Sequence, residues 1–175
     1  MEFDKNLFAQ EFKECQKREE ITRSDMLFKI PLFLKRSESS LQIANFHKNP
    51  PKEPDRIYWS YWAITIAYYA MLYAAKAAIL KKGYEVKTHE ACEIALGHLL
   101  VPDELEKEDL TLLNDSHKIF EDEYVKYFHD ARTESYTARY QARPSYTERK
   151  LNEILENAGK FVAKIVLMLE RRKFD

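Results

Sequence analysis

Apolar side chains recur every three to four positions along most of this chain, which is the repeat of one helix face. Across residues 3 to 20, Phe3, Leu7, Phe8 and Phe12 share a side, with Lys and Glu opposite. A second helix is expected between a cap at Ser24 and Phe46, and Pro31 demands a kink or a late start. The stretch HKNPPKEPD, residues 47 to 55, holds three prolines and no apolar side chain, and reads as a loop. Asp55 is a suitable N-cap for a third helix, and Gly83 a suitable residue to end it. Thr88 caps a shorter helix to about Val101, where Pro102 stops it. A long helical region follows, on the repeat Leu113, Phe120, Tyr124, Tyr127, Phe128 and Ala131. Asn114, Asp115 and Ser116 mark either its start or a break, and Pro144 ends it. SYTE, residues 145 to 148, has the form of a capping box. The last helix is expected to run to about Arg172 and to bury Leu151, Ile154, Leu155, Ala158, Phe161, Val162, Ile165 and Leu169.

The pattern therefore predicts five or six helices in one domain spanning residues 1–175. The fold class is all-α, an antiparallel up-and-down bundle. Only 3 Gly and 6 Pro are present, and no Asn-Gly or Asp-Gly hairpin turn, which leaves little room for strands. The third helix is the most apolar. From Ile57 to Ala75 it carries no charge, close to the length of a membrane span. It also carries Tyr58, Tyr61, Tyr68, Tyr69 and Tyr73, whose phenols would lack partners mid-bilayer. A central bundle helix is the expected reading, with no membrane. Its alanines (Ala63, Ala67, Ala70, Ala74, Ala75, Ala77 and Ala78) would let neighbours approach closely.

Net charge is −1, so no global field draws the chain to nucleic acid, and any such role needs a local patch. Cys15 and Cys92 are far apart in helical patterns, which points to a reducing cytoplasm rather than a disulfide. The N-terminus MEFDKNLFAQEF has early acids and no signal-peptide core.

The strongest local patch is DARTESYTARYQAR, residues 130 to 143. At ~100° per residue, Arg132, Tyr136, Arg139 and Arg143 fall within an arc of about 60°, with Tyr140 just outside. Guanidinium groups bind phosphate bidentately, and phenols stack on bases or donate to phosphate. From 130 to 150 there are five cations against three acids, a local charge of +2. The ordinary alternative is a solvated arginine face with tyrosines packed beneath it. His129 lies three residues before Arg132, within reach on a helix surface. His89 opens its helix, where the dipole favours a neutral ring, and fixing that helix start is its simplest role. His98 falls on another face, and with no third ligand at suitable spacing no metal or other cofactor is expected. The acidic run ELEKED, residues 104 to 109, reads as a solvated face.

The run YYAMLYAAKAAILKKGYEVKTHEA, residues 68 to 91, resembles the HEPN family, the higher-eukaryote and prokaryote nucleotide-binding domains. The matching features are Tyr68, Tyr69 and Ala70, then Ala74 to Ala77, Ile79, Leu80 and Gly83, then Thr88 and His89. Arg132 with Ser135 and Tyr136, followed by a final amphipathic helix, resembles a second family element, although Ser135 stands where an Asp is usual. The resemblance spans about 55–172, with residues 1–50 as added N-terminal helices. It implies a helical homodimer, and in many members a metal-independent endoribonuclease or a toxin held by a small nucleotidyltransferase partner. Those nucleases carry an Arg followed by a His after four to six residues. Here Arg132 leads to Thr137, Ala138 and Arg139. The resemblance thus implies binding of RNA or a nucleotide through Arg132, Tyr136, Arg139, Tyr140 and Arg143, in a toxin–antitoxin or defence setting. If the chain is catalytic, Arg132 would hold phosphate charge and His129 would move a proton. The competing expectation is a non-catalytic helical dimerisation or adaptor module.

Overall fold

The computed structural model describes residues 3–47, 56–118 and 148–171. Along the chain run α1 (Lys5–Lys17), β1 (Ile21–Arg23), α2 (Lys29–Phe46), α3 (Arg56–Lys81), β2 (Tyr84–Val86) and α4 (His89–Leu99). A helical stretch over 107–118, here α5, and α6 (Glu148–Arg171) complete it. The architecture is the all-α bundle expected from the repeat, plus one small two-stranded ribbon.

The bundle is built on α3, which packs against α2, α4, α6 and β2. All seven of its expected alanines are fully buried, as are Met71, Ile79 and Leu80. A helix apolar on every side must be covered on every side. Small side chains let neighbours come close, so backbone and Cβ atoms supply the contact. The stretch Trp62–Lys81 is long and apolar enough for a membrane span, yet 78% of it is buried inside the fold. Coverage by its neighbours accounts for its composition. On α6 the entire expected stripe from Leu151 to Leu169 is buried.

Helix ends follow local chemistry. The Asp4 carboxylate caps α1 by accepting from the Asn6 and Leu7 amides at 2.9 and 3.2 Å. Leu7, expected on the inner stripe, turns outward, while Phe12 is buried. Ser24 does not cap α2. Its amide donates to the Gly83 carbonyl at 2.9 Å, its hydroxyl accepts from the Met26 amide, and α2 begins five residues later. Pro31 then falls in the first turn, where no intrahelical amide bond is due. Gly83 ends the turn after α3 with φ +84°, a conformation glycine adopts without strain. Thr88 caps α4 as expected, accepting from the Ala91 amide at 3.0 Å. The capping-box residues Ser145, Tyr146 and Thr147 lie outside the described residues.

Two features were not legible as patterns. The ribbon pairs Ile21 with Val86, Thr22 with Glu85 and Arg23 with Tyr84, antiparallel. Three residues are too few to show a two-residue alternation. The ribbon ties the α1–α2 connection to the α3–α4 connection, and Lys29 reinforces it through Glu85 at 2.8 Å. The ELEKED run, read as solvated, is tied to the fold. Glu104 pairs with Lys82. Lys164 of α6 meets Asp109 at 2.6 Å and Glu106 at 3.2 Å. Asp109 also accepts from the Glu106 amide at 2.8 Å, the return half of a capping box, and α5 starts there rather than at Asn114.

Gly97 shows how closely α1 approaches α4. A Cβ there would lie 2.5 Å from the Phe8 ring. Gly97→Ala is expected to destabilise the fold by about 1–2 kcal/mol, the overpacking cost less the helix propensity gained. In a Phe8→Ala background the same change should become neutral or stabilising by up to about 1 kcal/mol. Urea unfolding of the four chains of this cycle checks the reversal of sign.

Candidate functional site

The most chemically dense cluster among the described residues lies where α4 and α5 meet over α3. His89 is the first residue of α4, placed by the Thr88 cap. Its Nδ1 lies 3.1 Å from Nε2 of His117 on α5. That is hydrogen-bond distance, with the direction of the bond set by the tautomer each ring adopts. Both rings rest on Tyr68, which is buried. Tyr68 stacks with His117 at 5.4 Å and 21°, and meets His89 edge-on at 5.4 Å and 67°. Tyr69 adds an edge contact to His89 at 6.3 Å, and contacts Tyr73 at 6.4 Å. The adjacent Tyr-Tyr pair thus serves as the floor and one wall of an imidazole pair.

A second rung lies one turn away. The Asn114 side-chain amide donates to Glu93 at 2.6 Å. Glu93 follows His89 by four residues and Asn114 precedes His117 by three, so the two rungs run in opposite senses along α4 and α5. That arrangement fixes the helices as antiparallel neighbours. Burial pushes the Glu93 carboxyl above its ordinary value, and Asn114, His117 and Lys118 pull it back only in part. Beside this rung is a pocket of about 100 Å³ lined by Phe3, Phe8, Glu93, Leu110, Asn114 and Lys118, among others. Sites for small molecules usually offer ~300 Å³ or more. This one accepts a few waters or a single functional group, and a nucleotide would have to lie outside it.

The sequence match to the HEPN domain covers residues 57–170, which takes in α3 to α6 and every member of this cluster. The chain belongs to the HEPN family. Among solved structures, this HEPN chain is similar to the crystal structure of TT1696 from Thermus thermophilus, at 18% identity and a TM-score of 0.55. The likeness covers 80% of this chain and 98% of that one, and it concerns the fold. No curated protein matches the sequence.

Of the residues singled out from sequence, His89, Tyr68 and Tyr69 come together here. His129, Arg132, Tyr136, Arg139, Tyr140 and Arg143 lie outside the described residues. His117, Glu93 and Asn114 were missed, because each reads as an ordinary polar position until α5 is laid against α4. The only available signal was helical phase, which puts Asn114 and His117 on one face. His98 is on the other side of α4, packed on Phe12 with ring centroids 4.5 Å apart. Burial, with Lys5 and Lys13 nearby, pushes its pKa down. Burial also lifts the Cys92 thiol to about 12, and Cys92 and Cys15 are both buried and free. A thiol so far from ionising is a packing group, not a nucleophile.

An acid whose pKa is raised by folding stabilises the fold only while it is protonated. For Glu93 that contribution is present below the ordinary value of 4.5 and is lost as pH rises through the folded value. Glu93→Gln retains an acceptor for Asn114 without the charge. It should therefore be more stable than the parent chain at neutral pH, and the advantage should vanish on acidification. Thermal melts of both chains between pH 3.5 and 8 would refute this if the difference stayed constant.

Proposed function

We propose that this HEPN chain binds RNA or a nucleotide along the open edge where α4 and α5 meet over α3. The setting would be a toxin–antitoxin or defence system with a small nucleotidyltransferase partner. One observation carries the reading: two half-buried imidazoles converge at 3.1 Å on a tyrosine floor, inside the family-matched region. Imidazoles donate to or accept from base edges and phosphate oxygens. Lys118, exposed, follows His117 directly and adds a cation for phosphate. The pocket beside them is too small for a base, so the ligand would lie across the surface. Phosphate contacts would then dominate affinity.

Those contacts are assigned to Arg132, Arg139 and Arg143, with Tyr136 and Tyr140, which follow α5 in the sequence. The Arg-to-His spacing of the family's nucleases is absent, so binding is the primary activity proposed. Were cleavage to occur, it would be metal-independent. The 2′-hydroxyl proton would pass to an imidazole, a proton would return to the departing 5′ oxygen, and Arg132 would hold the phosphate charge. His89, His117 and His129 are the available carriers. A second reading, a non-catalytic pairing module, is favoured by exposed aromatics in the N-terminal half, with Phe28 at 68% and Phe46 at 74%. Co-purification with the product of an adjacent nucleotidyltransferase gene, without nucleic acid, would favour it.

Arg132→Ala is expected to weaken binding of a labelled single-stranded RNA about 10- to 100-fold, the loss of one charge-assisted contact. It should also reduce the slope of log affinity against log salt by about 0.7. His117→Ala should weaken binding with the salt slope unchanged. Fluorescence anisotropy at several salt concentrations measures both, and unchanged affinity in both variants would remove the proposal.

A further inference from the structure

The pocket of about 100 Å³ beside the Glu93–Asn114 rung lies between the start of α1 and the α4–α5 pair. It is a seam between two parts of the chain. Phe3 and Phe8 precede the family-matched region 57–170, whereas Glu93, Leu110 and Asn114 fall inside it. Part of its lining is apolar. The Phe3 and Phe8 rings stack with centroids 5.2 Å apart, and Leu110 is buried.

The polar part of the lining is short of donors. Glu93 Oε1 accepts from the Asn114 amide at 2.6 Å, and Glu93 Oε2 accepts from no described residue. Asn114 Oδ1 is buried and has no hydrogen-bond partner. Buried acceptors are nearly always satisfied, so a group that enters here is selected for the protons it brings. Charge narrows the choice further. Burial holds the Glu93 carboxyl above its ordinary value, and a cation beside it would restore the ionised form. A water molecule would bring a donor but no charge. The nearby lysines do not fill the role. Lys107 is exposed and meets Glu108 at 3.8 Å, and Lys118 is exposed; neither ion-pairs with Glu93 among the described residues. Size sets the last limit. A cavity of roughly 150 Å³ is what holds a benzene ring, so this pocket admits a slender head group rather than a ring.

We infer that this pocket binds a small primary alkylammonium ion, its head on Glu93 Oε2 and its first methylenes against Phe3, Phe8 and Leu110. The charged head satisfies a buried carboxylate, and the apolar lining takes the carbons next to it. Neither the imidazole pair nor the arginines of 130–143 take part, so the site does not rest on the nucleotide reading.

The test is an NMR titration of the full chain with n-butylammonium chloride at neutral pH. Binding is expected in the millimolar range, as suits so small a ligand, with shifts in the Asn114 side-chain amide and nuclear Overhauser contacts from the ligand methylenes to the Phe8 ring. Each methylene added from ethyl- to butylammonium should tighten binding about threefold. n-Butanol, of equal length and uncharged, should bind at least about 10-fold more weakly. Glu93→Gln retains an acceptor for Asn114 and removes the charge, and it should cost butylammonium about the same factor. The variant is expected to be more stable than the parent chain at neutral pH, so a loss of binding would not report unfolding. No binding, equal binding of butanol, undiminished affinity in Glu93→Gln, or shifts without a contact to Phe8 would overturn the assignment.

Discussion

The close packing around α3 is the constraint on which the other contacts depend. A helix with alanine at seven inward positions cannot fill space with its own side chains, so its neighbours must supply the volume. They do so from both directions along the chain: α2 from the N-terminal side, α4 and α6 from the C-terminal side. The exposed alternative would leave an almost wholly apolar helix in water, at roughly 25 cal/mol per Å² of apolar surface. The remaining elements pack on these helices, as α1 does on α4 through Phe8 and Phe12, or are joined to them by short polar ties.

Those ties sit mainly at the ends of helices. The ribbon between β1 and β2 joins two connections rather than two sheets, and it locks the entrance of α2 to the exit of α3. The Lys164 pairs do the same between α6 and the start of α5. Exposed ion pairs contribute little on their own. Their use here is positional, since they fix where helices begin and leave the burial of α3 to hold the bundle together.

The same packing creates the two surfaces with chemical character. Over one side of α3, Tyr68 is too large for an alanine-lined groove to absorb unnoticed. It becomes a floor on which His89 and His117 are brought into hydrogen-bond contact. On the other side, α2 commits one face to α3 through Ser37, and Phe28, Leu32, Ile43 and Phe46 are exposed. The first surface is polar with a small pocket beside it, and the second carries exposed apolar side chains.

The helical periods were legible in the sequence because burial on one face leaves a repeat that any single helix displays. The α6 stripe, the α3 alanines, the Thr88 cap and the Gly83 stop all follow from neighbours a few residues apart. Even the family resemblance rested on such local runs. Contacts between residues distant in sequence leave no such repeat. His117 meets His89 across 28 positions and Asn114 meets Glu93 across 21, and neither pair has a spacing to betray it. The three-residue strands are too short to alternate, and the ELEKED acids differ from solvated ones only because Lys82 and Lys164 happen to arrive beside them. Among the described residues, sequence alone determined which segments are helices and, Leu7 apart, most of the faces they hide. Only the tertiary structure decided which polar side chains would meet, because that depends on how the helices are laid against one another.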